Sequence, residues 1–248
     1  MTGSKVKPML DAAAVQAIVD GRYTDIFGVL GLHSNPAGKC LVMRAFLPGA
    51  QKVEVLGRDG KKIAELENRH AAGFFEKVLS RRNHHFDYQF RLDGSRIVED
   101  VYRFPSQLRS DDLYLFAEGS SEHAYRWMGA HAVSIDGVDG VNFVVWAPSA
   151  RRVSVVGEFN DWDGRRHAMR NHPGSGVWDI FIPAVREYAL YKLEIVAADG
   201  TLLPLKADPY ARSMQHAPDT ASRVVVDDGY DWRDGDWMAS RGNIDNRE

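Results

Sequence analysis

The segment Glu158-Phe159-Asn160-Asp161-Trp162-Asp163-Gly164 sets an indole among residues that build turns. A tryptophan on a loop is amphipathic and costly to expose. It offers either a flat binding platform or a lid folded over the core edge, and pattern alone leaves both readings open. Hydrolytic or transfer chemistry at a glycosidic bond needs two carboxylates roughly 5–10 Å apart across a cleft. The pairs Asp111-Asp112, Asp161/Asp163 and Asp227-Asp228 fall instead in caps and turns, where Asp serves the backbone. No nucleophile elbow, phosphate-binding loop or dinucleotide fingerprint occurs. His84 and His85 are adjacent and would face opposite sides of a strand, which is wrong for joint metal ligation. The sole cysteine, Cys40, opens the apolar run Cys40-Leu41-Val42-Met43 and reads as a buried thiol. The chain is therefore expected to hold no catalytic residue, no metal and no cofactor.

Charge narrows the partners. Thirty-one Lys and Arg against 34 Asp and Glu give a net charge of −3, and the Arg pairs at 81–82, 151–152 and 165–166 are interleaved with acids. A nucleic-acid partner is not expected. No stretch reaches the roughly 18 apolar residues of a membrane helix, and Lys5-Val6-Lys7-Pro8 has no apolar run behind it. A cytoplasmic protein without a membrane partner is the expectation.

The elements that must carry Trp162 occur twice. Arg44-Ala45-Phe46-Leu47-Pro48-Gly49-Ala50-Gln51-Lys52-Val53-Glu54-Val55 is answered by Val144-Val145-Trp146-Ala147-Pro148-Ser149-Ala150-Arg151-Arg152-Val153-Ser154-Val155. Gly73-Phe74-Phe75-Glu76 is answered by Gly176-Val177-Trp178-Asp179, and Tyr88-Gln89-Phe90 by Tyr191-Lys192-Leu193. Asp93-Gly94 matches Asp199-Gly200, and Asp100-Val101-Tyr102 matches Asp208-Pro209-Tyr210. Each unit reads as short alternating strands parted by Gly, Pro, Asn and Asp, with Trp146 and Trp178 expected in the core.

Asp11 before Ala12–Val19 predicts an N-capped helix burying Leu10, Ala14, Ala17 and Ile18, and residues 111–119 predict a second short helix. The expected fold class is all-β: two tandem immunoglobulin-like β-sandwiches joined by a short helical linker, with a short N-terminal helix. The expected boundaries are a helical segment at 1–24, a first sandwich at 25–105 and a linker at 106–131. A second sandwich at 132–228 and a tail at 229–248 complete the chain.

The run from Val153 to Trp162, with Gly176-Val177-Trp178, Tyr188–Lys192, Asp199-Gly200 and Lys206–Ala211, resembles the carbohydrate-binding module of α-amylase-superfamily branching and debranching enzymes. The same module occurs in the β-subunit of AMP-activated kinase. Asp25–His33, Asp112–Gly119, Met128–His131 and the Trp-bearing tail resemble the N-terminal region of bacterial 1,4-α-glucan (glycogen) branching enzymes. The resemblance implies a non-catalytic part that binds or orients α-glucan and supports an α-amylase-type catalytic barrel lying beyond Glu248. It leaves two other readings, a stand-alone glucan-targeting module and a structural spacer without ligand.

By the same resemblance, carbohydrate would be held by Trp162, Lys192, Asn160, Thr220 and Ser222. Ser222 stands where the kinase-type module has Asn, and Leu202 where it has a second Trp. In the first repeat, Lys62 and Gln89 occupy the places of Trp162 and Lys192, which implies a spacer or packing role.

Overall fold

In a computed structural model, the described residues are 9–35, 40–80, 82–226 and 231–243. Helix α1 (Ala12–Val19) begins where expected, with Asp11 accepting from the Ala14 N–H at 2.7 Å. Its buried side chains are Val15, Ile18 and Val19; Leu10, Ala14 and Ala17 are only half-buried, so the inward face is rotated from the one predicted.

Eight strands follow: β1 (Gly31–Ser34), β2 (Leu41–Phe46), β3 (Val53–Gly57), β4 (Lys62–Glu65), β5 (Glu67–His70), β6 (Phe74–Leu79), β7 (Tyr88–Leu92) and β8 (Arg96–Val98). They form two antiparallel sheets, β1-β2-β6-β5 and β4-β3-β7-β8. Alternate residues Leu41, Met43, Ala45, Val53, Val55, Phe75, Phe90 and Leu92 meet between the sheets.

Helix α2 (Ser110–Ala117) lies in the linker, with Asp111 and Asp112 in its first turn, where the helix dipole favours them. The second set is β9 (Gly129–Ile135), β10 (Val138–Trp146), β11 (Ala150–Gly157), β12 (Arg170–His172), β13 (Val177–Pro183), β14 (Leu190–Ala197), β15 (Ser213–Met214) and β16 (Ser222–Arg223). Its sheets are β12-β13-β10-β9 and β11-β14-β16-β15, and its core gathers Val141, Phe143, Val145, Val153, Val155, Trp178, Ile180 and Tyr191. A short helix α3 (Gly235–Ser240) follows, with Trp237 exposed. Asp227-Asp228 lie outside the described residues.

The duplication extends to buried polar groups. Tyr88 donates to Asp100 at 2.6 Å, and Tyr191 donates to Asp208 at 2.6 Å. Glu76 is buried on β6 between Arg44 and Arg69; Asp179 is buried at the matching place on β13 beside His172 and Arg170. Gly31 and Gly129 hold φ of +96° and +94°, and a Cβ on Gly129 would stand 2.9 Å from the Tyr210 carbonyl oxygen. Two residues on, His33 and His131 each bond a carbonyl at the strand entry, those of Leu30 and Met128.

The two sandwiches are joined through the loop after Trp162. Arg166 donates to the Pro48 carbonyl at 3.1 Å and receives a bond on its own carbonyl from the Tyr102 hydroxyl at 3.1 Å. Arg170 reaches the Phe104 carbonyl at 2.9 Å and Arg165 the Val19 carbonyl at 3.4 Å. Around them, Ala168 packs with α1, Phe46 and Phe74 in one apolar cluster.

Two expectations are corrected. Trp178 is core, 2% exposed, but Trp146 is 53% exposed: Val145 points inward, and alternation turns its neighbour outward. Cys40 is half-buried and accepts from the Asn35 amide at 3.4 Å, because it precedes β2 rather than lying within it.

Candidate functional site

Strand β11 ends at Gly157, opposite Tyr191, and the chain turns back through Glu158–Asn160. Asp161 and Trp162 both adopt φ of +57°. For a bulky L-residue this conformation costs on the order of 1–2 kcal/mol, so it persists only where neighbours impose it. Three contacts do so. The Trp162 N–H donates to the Gly157 carbonyl at 3.0 Å, Arg166 pairs with Asp161 at 3.3 Å, and Asn160 ties the turn to the strand. The indole is left 38% exposed.

Asn160 is not part of the exposed surface. It is 1% exposed, accepts from the Gly157 N–H at 2.9 Å, and donates to the Val155 carbonyl at 2.8 Å and to His167 Nδ1 at 2.9 Å. Accepting at Nδ1 requires a neutral imidazole, and burial drives His167 down to about 3. Ser222 is likewise fully buried, its Oγ receiving the Asp208 N–H at 2.9 Å. Asn160 and Ser222 are corrected as direct sugar contacts: both spend their polar groups on the fold.

Lys192 and Thr220 do come together. Lys192 pairs with Val156 across β11 and β14, one register step from the Gly157–Tyr191 pair that anchors the Trp162 turn. Its Nζ donates to Thr220 Oγ1 at 2.8 Å on the surface. Further along β14, Glu194 is taken up by Arg152, which also donates to the Gly164 carbonyl at 2.6 Å. Leu202, 59% exposed, bridges to Val196, four residues and about 13 Å along the strand from Lys192. The arrangement offers an aromatic face and an ammonium–hydroxyl pair at one end of the sheet, with an apolar side chain farther along.

The first sandwich has no counterpart at these positions. Lys62 is engaged with Glu54 and Glu65, and Gln89 donates to Glu99 at 2.7 Å. Among the described residues no group of three or more His, Cys, Asp or Glu could hold a metal ion, and no helix is long and apolar enough to cross a membrane.

Residues 11–102 match the N-terminal domain of the alpha-1,4-glucan branching enzyme GlgB, and residues 127–211 match carbohydrate-binding module 48, the isoamylase N-terminal domain. Thr220 and Ser222 fall beyond the second match. The 1,4-alpha-glucan branching enzyme GlgB of Rubrobacter xylanophilus is 49% identical over 93% of this chain and 31% of its own length. That of Saccharophagus degradans is 45% identical over 94% of this chain and 32% of its own. The chain thus spans about a third of the length of these curated relatives. A type I pullulanase from Bacillus subtilis aligns over 78% of this chain and 26% of its own, with 16% identity and a TM-score of 0.36. A GlgB N-terminal domain followed in order by a module of family 48 makes the chain similar to the N-terminal part of 1,4-alpha-glucan branching enzymes.

Proposed function

We propose that the second sandwich holds α-glucan against Trp162, with Lys192 and Thr220 bonding the sugar hydroxyls. In the longer protein it would orient glucan chains for branch formation by an α-amylase-type barrel outside this chain. The carrying observation is the strained Trp162 turn, which keeps an indole exposed and is anchored at Gly157, one register step along β11 from the residue that pairs with Lys192. A pyranose presents an apolar C–H face that stacks on an indole, and a rim of hydroxyls that needs donors and acceptors. The matched carbohydrate-binding module supports the same ligand class. By analogy with base stacking, one face is worth on the order of 1–3 kcal/mol.

Trp162→Ala should therefore weaken retardation in a glycogen-containing native gel by roughly 5- to 150-fold, with little change in melting temperature. Undiminished retardation would remove Trp162 from the site. Incubated alone with amylose, the chain should form no α-1,6 linkages by proton NMR.

A further inference from the structure

Of the three contacts that impose the left-handed turn at Asp161 and Trp162, two come from the second sandwich itself, the Gly157 carbonyl and the Asn160 side chain. The third leads out of it. Arg166 Nη2 pairs with Asp161 Oδ2 at 3.3 Å and donates to the Pro48 carbonyl of the first sandwich at 3.1 Å. One guanidinium nitrogen thus joins the turn to the neighbouring sandwich. Asp163, the other carboxylate close by, is already engaged: Arg165 donates to its two oxygens at 2.9 and 2.7 Å.

The first sandwich holds this arginine by its backbone as well, since the Tyr102 hydroxyl donates to the Arg166 carbonyl at 3.1 Å. Tyr102 is itself well anchored. It lies in the short turn Val101–Arg103, its N–H donates to Asp100 at 3.0 Å, and its ring meets Phe27 edge-on at 5.0 Å. The loop carrying Pro48 is packed just as closely: Leu47 N–H donates to the Gly73 carbonyl at 2.8 Å, and a Cβ on Gly73 would stand 2.5 Å from the Leu47 carbonyl oxygen. The matching tyrosine of the second repeat shows what has been added. Tyr210 keeps the N–H bond to Asp208, at 2.8 Å, but its hydroxyl bonds nothing among the described residues.

We propose that Tyr102 is a positioning residue of the Trp162 site: with the Pro48 carbonyl it sets Arg166 from the first sandwich, and Arg166 through Asp161 sets the turn that presents the indole. The first sandwich then serves the glucan site without touching sugar. Two left-handed residues in succession are costly, so a turn released from Arg166 loses part of what imposes it, and the indole leaves the orientation that stacks. The identity of the ligand rests on the reading given for Trp162; the path from Tyr102 to the turn does not.

The test is a titration of the ¹⁵N-labelled full chain with maltoheptaose, following the Trp162 indole N–H signal, identified by its loss in Trp162→Phe. Before sugar is added, Tyr102→Phe should already shift or broaden that signal. On titration it should raise the apparent Kd roughly two- to fivefold, the range that one exposed ion pair transmits. Asp161→Asn should raise it similarly, and the double variant by no more than the larger single effect, because both act through Arg166. Leu41→Val, a buried change at the far end of β2 from the Pro48 loop, should lower the melting temperature yet leave the signal and the Kd as in the parent. A sugar-free Trp162 signal in Tyr102→Phe that matches the parent, or that moves no more than in Leu41→Val, overturns the proposal, and so do additive effects in the double variant. If maltoheptaose leaves the parent signal still, the sugar reading falls, and the sugar-free signal still decides the positioning.

Discussion

Replacing Asn160 with Ala separates a residue that reads sugar from one that builds the turn. The Gly157 N–H and the Val155 carbonyl face the same edge of β11, and just before them the edge pairs with residues 167–169. The Asn160 amide satisfies both groups, standing in for the next residue of a strand. Truncation leaves two buried backbone groups without partners, each costing roughly 1–3 kcal/mol, and a plausible total is about 2–4 kcal/mol. For a chain of this length that corresponds to a fall of about 5–12 °C in Tm. Differential scanning calorimetry of the full chain reads it directly. Asn160→Asp should be at least as damaging, because a carboxylate cannot donate to Val155. A variant that melts within a degree or two of the parent yet loses glycogen retention would refute the assignment and return Asn160 to the sugar surface.

His167 should make stability fall in mild acid. Its folded value of about 3 lies below the ordinary 6.5, so the unfolded chain binds the extra proton, and lowering the pH from 7.5 to 5 costs about 2 kcal/mol. In His167→Gln that part of the slope should vanish from a plot of Tm against pH, and parallel curves would contradict it. Asp100 works in the opposite sense: burial lifts its carboxyl to about 6, so the folded state keeps its proton longer and stability is lost as pH rises from about 4 to 6. Urea denaturation should show Asp100→Asn gaining about 2 kcal/mol on the parent between pH 4 and 7, whereas a pH-independent difference would count against it. Trp178→Ala should cost about 3–5 kcal/mol in denaturant titrations, since the ring is buried and its N–H serves the Ala147 carbonyl at 3.0 Å.

The tandem sandwiches were legible because strand alternation and turn residues are local signals that recur at matching intervals. Trp162 could be singled out for the same reason, as an indole inside a run of turn formers. Asn160 and Ser222 could not be separated from surface residues by type, since Asn and Ser serve loops and buried backbone alike. Only the path of β11 past residues 167–169 shows which edge Asn160 must complete. Trp146 misled because Phe143–Trp146 is apolar throughout: Val144 also faces outward but is covered from the linker by Leu113 and Phe116. Counting parity back from Val145 would have placed Trp146 outside. The pair Leu30-Gly31-Leu32-His33 and Met128-Gly129-Ala130-His131 was a readable repeat signal, and its His–carbonyl bonds explain it.

The guanidinium bonds of the clasp between the sandwiches run one way, answered from the amino-terminal half by the Tyr102 hydroxyl on the Arg166 carbonyl. Arg165, Arg166 and Arg170 supply guanidinium donors, whereas the acceptors at Val19, Pro48 and Phe104 are main-chain carbonyls. A carbonyl persists whatever side chain its residue carries. The acceptor at each of those three points therefore survives any side-chain change that the packing of the buried Val19 and Phe104 allows, provided the backbone path holds. The side-chain donors that reach those carbonyls are a handful of arginines just downstream of Trp162. Random mutagenesis scored for domain alignment should find its sensitive positions there, in the half that carries the indole.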